Sequence, residues 1–488
     1  MYEENFNIYK AFSTAEERLF VSYSSSDSEG KALRKSLLIS KLKRIFKNIE
    51  EDFQKKDTIL TPKITFSKLL NNIDNKEWKE VLEWYRKEFP EKLQKALNGL
   101  KYTNIASTIN EENIEELYGK KLKTSVSRLE KYMSCPFSYF LQYGLKLSEK
   151  DKLEIKPIDT GSFMHEVVDS FFKRIKEKSI NVKEINDNEI SDIIEIIVNE
   201  KLQYQDKFNL TAKYRTLVQR LKRVLKISIK YIVQSIRESE FDVLATEAEF
   251  DSREGASYSP IEMELENGKR VSIIGKIDRI DIAKMPDGNY IRIIDYKSST
   301  KDIDLNKVIS GLQLQLLTYT DAICENENVL PAGALYYTLI EPKIAERKIN
   351  KEEIEDIIKQ NFRMNGLVLA DINIIKAMDT TLDTGKSDKI PITLNANGEI
   401  NFSRSKTITR EEFENIQKYT NKIIKQISKE ILSGNIEIKP YYNQKEKKTP
   451  CMYCTYKSIC QFNSKMKNND YRFIPNMKRQ EIIEKMSQ

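Results

Sequence analysis

Two isoleucine-rich runs with strand-like character lie in the central part of the chain. The first extends from Val271 to Ile282 and the second from Tyr290 to Tyr296. Between them lies Pro286-Asp287-Gly288-Asn289, a group of residues typical of tight turns. Apolar β-branched runs separated by such residues are typical of a β-hairpin, so we predict a hairpin here.

Further apolar patterns surround this hairpin. Strand-like runs cover residues 244–250, 260–265 and 333–340. Helical spacing of apolar residues covers residues 163–172, 213–237, 311–324 and 409–434. This succession of strands and helices predicts an α/β core in which a mixed sheet is flanked by helices.

The pattern changes along the chain in a way that predicts three regions. Residues 1–120 have mainly helical spacing, residues 121–470 contain the α/β pattern, and residues 471–488 are expected to form a loosely ordered tail. Within the second region, residues 343–408 are polar and irregular, and we interpret them as an insertion.

Each strand of the predicted hairpin carries an acidic residue. Asp278 lies on an otherwise apolar face, while Asp295 and Lys297 share one face of the second strand because side chains alternate along it. A buried carboxylate is costly unless it is paired or binds a metal. The arrangement predicts a divalent cation with a lysine beside the water that it activates. An ordinary ion pair between Asp278 and Lys276 or Lys297 is the structural alternative.

The only histidine of the chain is His165, at the start of an apolar helix pattern. An isolated histidine beside an apolar helix face is most often a structural core residue. The residue pattern alone therefore does not assign His165 to the metal site.

Four of the five cysteines have the spacing of a metal site. Cys451, Cys454 and Cys460 form C-x2-C-x5-C, and Cys135 is the natural fourth ligand because it also lies in an aromatic, proline-flanked segment. Four thiolates suit either zinc or an iron-sulfur cubane: the spacing alone favours zinc, because C-x2-C arrangements are commonest in zinc sites, and the ligand count does not separate the two. Cys324 is interpreted as an ordinary core residue.

Composition narrows the function classes only slightly. The net charge of +7 is mild for 488 residues and favours nucleic acid weakly. The basic residues of the helix pattern at 213–237 are interpreted as a solvated face, with a track for DNA phosphates as the alternative.

No window approaches the ~20 apolar residues of a membrane span, and the acidic start is unlike a signal peptide, so we expect a cytoplasmic protein without membrane contact. The phosphate-binding motif G-x-x-x-x-G-K-(S/T) is absent, so we expect no ATP hydrolysis by this chain alone.

Together, these motifs resemble the PD-(D/E)XK nuclease domains of the RecB type, which have a restriction-endonuclease-like core. The matching segments are Gly161 to His165, Gly275 to Asp281, Asp295-Tyr296-Lys297 and Gln313 to Tyr319. With C-P-F-S-Y-F at residues 135–140 and the C-x2-C-x5-C motif after the core, the chain is similar to the C-terminal part of the AddB family, which forms one half of the AddAB helicase-nucleases.

The resemblance implies roles for the acidic and basic residues of the hairpin. His165, Asp278 and Asp295 would bind Mg2+, together with the backbone carbonyl of Tyr296. Lys297 would position the attacking water and stabilise charge on the phosphate.

The resemblance also implies roles for the helix after the hairpin and for the cysteines. Gln313 would contact the substrate or order the active site, and the pair Gln315 and Tyr319 fits the same family spacing. A structural 4Fe-4S cluster would be bound by Cys135, Cys451, Cys454 and Cys460. The cluster would hold the two ends of the domain together.

The wider function follows from the same resemblance. We expect a Mg2+-dependent deoxyribonuclease that acts on single-stranded DNA and duplex ends, paired with an AddA-type helicase-nuclease, in double-strand break repair by homologous recombination. The alternatives are a DNA-end-binding scaffold that does not cut and a free-standing iron-sulfur exonuclease.

The first residues resemble a different part of the family. Ile8 to Ser13, followed by Leu19 to Tyr23, is similar to the last motif of the helicase-like half. Thr14 stands where that motif usually has an arginine, which implies an inactive helicase module. Because the family members are longer, the resemblance implies that this chain corresponds to part of one.

Overall fold

A computed structural model of the chain shows two compact units, Met1–Tyr102 and Thr103–Gln488. The structure describes residues 2–27, 31–49, 51, 59–100, 102–106, 108–150, 155, 157–203, 211–266, 268–342 and 351–487.

The described regular elements of the first unit are helices. Their bounds are α1 Tyr2–Ser13, α2 Leu37–Ile45, α3 Pro62–Asn71, a 3-10 turn Lys76–Trp78, α4 Lys79–Glu88 and α5 Pro90–Leu100. Helices α3 to α5 enclose a small core because their apolar positions recur at helical spacing. This core contains Phe66, Leu69, Trp78, Tyr85 and Leu93.

The second unit alternates helices and strands. Its helices are α6 Glu111–Tyr118, α7 Val126–Ser134, α8 Pro136–Tyr139, α9 Pro157–Glu177, α10 Asp187–Gln203, α11 Ala212–Arg237, α12 Leu305–Ile309, α13 Gln315–Glu327, α14 Lys351–Phe362, α15 Ile372–Met378, α16 Arg410–Leu432, α17 Lys457–Cys460 and α18 Arg479–Ser487, with a π turn at Phe140–Gly144 and a 3-10 turn at Pro450–Tyr453. Its strands are β1 Lys121–Thr124, β2 Asp242–Phe250, β3 Ile261–Glu264, β4 Arg270–Ile273, β5 Gly275–Met285, β6 Gly288–Lys297, β7 Leu330–Thr338, β8 Asn365–Leu369, β9 Gly385–Lys386, β10 Thr393–Leu394, β11 Thr407–Ile408, β12 Tyr441–Tyr442 and β13 Arg472–Phe473. None of the helices in the described ranges is both long and apolar enough to cross a lipid bilayer.

A six-stranded sheet in the order β11-β8-β7-β6-β5-β2 forms the centre of this unit. Strand β5 pairs antiparallel with β2 and β6, whereas β6 pairs parallel with β7. Strand β8 pairs antiparallel with β7 and parallel with β11. The predicted mixed sheet flanked by helices is therefore confirmed.

The predicted hairpin consists of β5 and β6. Ile280 pairs with Ile293, and the register continues to Met285 opposite Gly288, which leaves Pro286 and Asp287 as the loop. Gly288 has a φ of +147°, a conformation that a side chain would strain. The turn residues thus fix the register that aligns the two strands.

Helices cover both faces of the sheet. On one face, α9 to α11 pack residues such as Phe171 and Ile229 against Ile294 of β6. On the other face, α13 and α16 pack residues such as Leu317 against Ile293. Neighbouring residues of β6 pack into the two cores on opposite faces of the sheet. A shift of the β5–β6 pairing by one residue would move the side chains of each core to the wrong face, so the register is strongly determined.

Two regions are more ordered than the sequence predicted. The region 343–408 was predicted to be an irregular insertion, but β8 and β11 within its described part extend the central sheet. Residues 343–350 of the predicted insertion lie outside the described residues. The C-terminal residues form β13 and α18 rather than a loosely ordered tail, because Ile482 and Met486 of α18 are buried in the core shared with α16.

Three charged side chains are fully buried between the sheet and helices α9 to α11. Arg292 Nε donates to Asp281 Oδ2 at 2.9 Å, and Arg279 Nη2 donates to the same oxygen at 3.0 Å. Arg279 Nη1 donates to Tyr296 Oη at 3.1 Å. Two guanidinium groups that have no access to water therefore share one carboxylate as their counter-charge.

Replacement of Asp281 by alanine should destabilise the fold strongly. The change leaves two buried guanidinium groups without their counter-charge, a loss that costs about 3–5 kcal/mol of unfolding free energy. Urea denaturation followed by circular dichroism measures it. The control is Glu266→Ala, which removes an exposed pair with Lys429 and should cost at most ~1 kcal/mol. Equal losses for the two variants would contradict the assignment.

Candidate active site

The acidic residues of the hairpin lie at the end of β6 and near the start of β5. Asp278 Oδ2 accepts a hydrogen bond from the backbone N–H of Tyr296 at 2.7 Å. This bond ties the two strands together one step beyond the last paired residues, Arg279 and Ile294. It leaves the other carboxylate oxygen of Asp278 available to a ligand.

His165 reaches the same carboxylate from helix α9. Its Nδ1 atom lies 3.2 Å from Asp278 Oδ2, and its ring meets that of Tyr296 edge to face, with 5.9 Å between centroids. Burial alone would lower the pKa of His165, but the hydrogen bond with Asp278 and the charges of Asp278 and Asp295 raise it. The imidazole is therefore part of the acidic cluster rather than a core residue.

Glu247 of β2 completes a group of three potential metal ligands. The donor atoms of Glu247, His165 and Asp278 all lie within 4.8 Å of one another. Burial raises the pKa of Glu247, and the charge of Asp278 raises it further, although Lys276 opposes this shift through an ion pair.

Asp295 and Lys297 form an ion pair beside this group. The Nζ atom of Lys297 contacts Oδ2 of Asp295, whose side chain is only 8% exposed. Burial raises the pKa of Asp295, and the charge of Asp278 adds to the shift against the opposing effect of Lys297. The pKa values of both Asp295 and Glu247 are thus raised, so their ionised forms cost free energy in the metal-free protein.

This donor set fits a divalent cation. Carboxylate oxygens suit Mg2+ and Mn2+, and an imidazole nitrogen is compatible with Mn2+ and other transition ions. A bound cation would offset the repulsion between the carboxylates, which the one ammonium of Lys297 does only in part.

Gln313 lies away from the metal group and holds a loop. Its Oε1 atom accepts from the backbone N–H of Asp304 at 2.8 Å, and its Nε2 atom donates to the backbone oxygen of Asp302 at 3.0 Å. The amide of Gln313 is therefore engaged by the loop between β6 and α12. This geometry favours an ordering role over direct substrate contact.

The alternative pair, Gln315 and Tyr319, lies on the first turns of α13. Tyr319 is buried and stacks on Phe250, with 5.8 Å between the ring centroids. A Cβ atom at Gly275 would lie 2.0 Å from Tyr319 Oη, so this position requires glycine. Tyr319 thereby fixes the start of β5, three residues before Asp278.

The four predicted cysteine ligands come from two distant parts of the chain. Cys135 is buried at the end of α7, Cys451 and Cys454 belong to the 3-10 turn after β12, and Cys460 ends α17. Burial raises the pKa of the Cys135 thiol to about 11, and the charges of Cys451 and Cys460 contribute to the shift. In the part of the chain that the structure describes, no three of these thiols lie within 4.8 Å of one another.

Hydrogen bonds hold these two parts of the chain together. The N–H of Phe137 donates to the backbone oxygen of Glu437 at 3.1 Å, and Asn104 Nδ2 donates to the backbone oxygen of Cys460 at 2.7 Å. Tyr456 Oη donates to the backbone oxygen of Leu147 at 2.6 Å. The cysteine segments are thus joined independently of any bound metal.

Comparison with known proteins places this arrangement in a family. Residues 123–461 match the family described as the PD-(D/E)XK nuclease superfamily. The chain belongs to this superfamily. The matched range of the PD-(D/E)XK domain contains the hairpin, His165 and all four cysteines of the C-terminal and α7 segments.

Curated relatives extend the similarity to nearly the whole chain. Three of them are named as the same subunit of an ATP-dependent helicase/deoxyribonuclease. They come from Caldanaerobacter subterraneus subsp. tengcongensis (38% identical, 97% of this chain and 43% of the relative), Clostridium tetani (37%, 99% and 44%) and Clostridioides difficile (38%, 99% and 45%). The predicted resemblance to the AddB family is confirmed. The chain spans less than half the length of the curated relatives that it matches.

Glu247 is the residue of the PD-(D/E)XK site that the sequence motifs did not single out. Its neighbours Thr246 and Ala248 pair with Arg279 and Ile277, so Glu247 stands opposite Asp278. Its φ of +49° is unusual for a residue with a side chain and is typical of functional sites. Both signals depend on the pairing of β2 with β5, which the sequence pattern does not reveal.

The basic helix α11 does not offer the PD-(D/E)XK domain a free track for DNA phosphates. Arg220 and Arg223 contact Glu341, and Lys222 and Lys226 contact Glu195. The interpretation of this face as an ordinary charged surface therefore fits the structure better than the DNA track.

Replacement of Glu247 by glutamine should weaken binding of a divalent cation. Groups that only support metal ligands contribute about 10–100-fold to affinity, so a ligand should contribute at least as much. Calorimetric titration of the wild type and the variant with Mn2+ measures this loss. The control is Glu249→Gln, two residues along β2, where the carboxylate pairs with Arg253 and at 3.8 Å with Lys276. Unchanged affinity in Glu247→Gln would exclude Glu247 as a ligand.

Proposed function

We propose that this chain is a metal-dependent deoxyribonuclease that hydrolyses phosphodiester bonds of DNA. The single observation that carries the proposal is the contact of His165 with Asp278, whose charge acts on the Asp295–Lys297 ion pair, within a PD-(D/E)XK domain. The names of the relatives, which include deoxyribonuclease, support the same activity.

The proposed mechanism divides the work between the acidic cluster and Lys297. His165, Glu247, Asp278 and Asp295 would hold Mg2+ together with the backbone carbonyl of Tyr296. When bound, such a cation neutralises the non-bridging phosphate oxygens and activates a water molecule.

Lys297 acts on the same phosphate. Asp295 holds the ammonium of Lys297 beside the cluster, from where the ammonium donates hydrogen bonds to the attacking water and to a phosphate oxygen. The charge that develops on the phosphate is then stabilised by a group already in place. The backbone N–H of Tyr296 keeps Asp278 oriented throughout, because the β5–β6 register fixes both residues.

We further propose that Cys135, Cys451, Cys454 and Cys460 hold a structural 4Fe-4S cluster. The support for the cluster is the resemblance of the C-P-F-S-Y-F and C-x2-C-x5-C segments to the AddB family, because no three of the described thiols lie within 4.8 Å of one another. Hydrogen bonds to sulfur, such as that from the N–H of Phe462 to Cys460 Sγ at 3.4 Å, suit such a cluster.

The chain is also proposed to act as part of a larger helicase-nuclease, with an AddA-type partner, in cytoplasmic double-strand break repair by homologous recombination. The relatives are named as subunits of a helicase/deoxyribonuclease, which supports this assembly. Exposed apolar side chains in the first unit support a covering partner surface. Those that are more than half exposed include Phe6, Tyr9, Phe20, Leu37, Ile45, Phe46, Ile59 and Leu60.

Asp295→Ala should abolish the cleavage of single-stranded DNA with Mg2+. Removal of a group that only supports a metal ligand lowers activity or metal affinity by up to about 100-fold. Because Asp295 is proposed as a ligand itself, the cleavage rate should fall by at least about 100-fold. Gel electrophoresis of a labelled oligonucleotide measures the rate. The control is Asp287→Ala, in the exposed turn at the other end of the hairpin, which should cut like the wild type. Equal rates for Asp295→Ala and the wild type would favour a DNA-end-binding scaffold.

Cys454→Ser should remove the cluster without touching the nuclease site. We expect loss of the brown colour, of the visible absorption and of bound iron, with a lower melting temperature because ligation contributes to folding. The matched control is Cys324→Ser, because Cys324 lies in α13 and should leave the iron content unchanged. One zinc per chain and no iron in the wild type would refute the cluster.

A further inference from the structure

A large cleft opens beside the hairpin, on the face of the sheet that α13 covers. Its volume is about 630 Å³, and it lies between the loop after β6, Gln313 just before α13, and the segments around residues 405, 445 and 479. Gln313, which orders that loop, forms part of its wall. The cleft therefore begins a few residues from Lys297.

Basic residues predominate in the wall of this cleft. Three carboxylates, those of Asp302, Asp304 and Glu446, also line it. The five basic side chains in the wall are Lys301, Lys307, Lys406, Lys445 and Arg479. The net positive charge favours an anionic ligand.

Ion pairs hold several of these cations in the wall. Lys307 pairs with Glu446 and Lys406 pairs with Asp302, each across a long stretch of sequence. These pairs join the loop after β6 to the segments at residues 406 and 446. They shape the cleft but leave little of their own charge for a ligand.

Lys301 differs from Lys307 and Lys406 because it has no such partner. Among the described residues, no carboxylate lies within the 4.0 Å ion-pair distance of its ammonium. The nearby carboxylate of Glu130 is occupied by the backbone N–H groups of Leu314 and Gln315, at 2.7 and 3.1 Å. Lys301 therefore offers a free positive charge in a half-buried position.

Lys301 and Lys297 also share one aromatic ring. The Nζ atom of Lys301 lies 4.8 Å from the ring centroid of Tyr336, and that of Lys297 lies 5.9 Å from it. Burial lowers the pKa of Lys301, and the charge of Lys297 lowers it further, against the smaller opposing effects of Glu130 and Asp295. Two ammonium groups in one part-buried place repel each other unless an anion lies between them.

We propose that this cleft binds the phosphate backbone of the DNA strand next to the bond that is cut, with Lys301 as a phosphate ligand. The inference rests on the proposed nuclease function and names the path of its substrate. A phosphate close to Lys301 would lie adjacent to the phosphate at Lys297, so the two lysines would hold consecutive groups of one strand. The cleft would thereby keep the strand in register with the acidic cluster.

Binding of a labelled short oligothymidylate to the 488-residue chain tests the proposal. Fluorescence anisotropy is recorded in EDTA over a range of salt concentrations, so that no cleavage contributes. Lys301→Gln should weaken binding several-fold and reduce the slope of log affinity against log salt by about 0.7, the value for one lost phosphate contact of a single strand. Lys301→Arg should retain both the affinity and the slope, because it keeps the charge.

The matched control is Lys284→Gln, which removes an equally positive but exposed lysine at the far end of β5. It should bind like the wild type, and equal melting temperatures of the variants show that folding is intact. If Lys301→Gln and Lys284→Gln have the same affinity and salt slope, the proposal is overturned. It is also overturned if inorganic phosphate displaces the labelled strand as effectively as unlabelled oligothymidylate does.

This result can be separated from that of the nuclease test. Cleavage by the wild type together with unchanged binding by Lys301→Gln would overturn the cleft and leave the nuclease intact. Binding that depends on Lys301 in a protein that does not cut would retain the strand site and overturn the nuclease.

Discussion

The carboxylates of Glu247, Asp278 and Asp295 lie close together although like charges repel. The strands that carry them are held by the sheet register and by a core on each face, so the side chains cannot move apart without disrupting the fold. Burial raises the pKa values of Glu247 and Asp295, and the charge of Asp278 raises them further. The fold therefore maintains a local site for a cation at a cost in stability, as functional sites commonly do.

Tyr296 connects this site to the most deeply buried part of the domain. Its backbone N–H holds Asp278, and its hydroxyl accepts a hydrogen bond from Arg279 on the opposite face of the sheet. Arg279 shares Asp281 with Arg292 in a place without water. Because a half-satisfied buried network is costly, the network admits few alternative positions for Tyr296. The geometry of the metal ligands thus depends on packing on the other side of the sheet.

The parts of the site that sequence reasoning located are those encoded locally. Asp295 and Lys297 share a face because strands alternate, and the turn at Gly288 sets the hairpin. Glu247 escaped prediction because its place depends on the pairing of β2 with β5 across about thirty residues of sequence and on its positive φ. The family resemblance, rather than any periodicity, assigned His165 to the metal site, whereas the aromatic, proline-flanked segment around Cys135 pointed to it as the fourth thiol ligand. The sequence did not indicate that Arg279 and Arg292 are buried, because charged residues in an isoleucine-rich strand are expected to face water.

The proposed nuclease activity depends on a single cation shared by His165, Asp278 and Asp295. Crystals soaked in Mn2+ and measured at a wavelength where manganese scatters anomalously test this most directly. We expect one strong anomalous peak within coordination distance of His165, Glu247, Asp278 and Asp295, next to the carbonyl oxygen of Tyr296. A protein saturated with Mn2+ that shows no peak there, or a peak bound to other residues, would contradict the central claim.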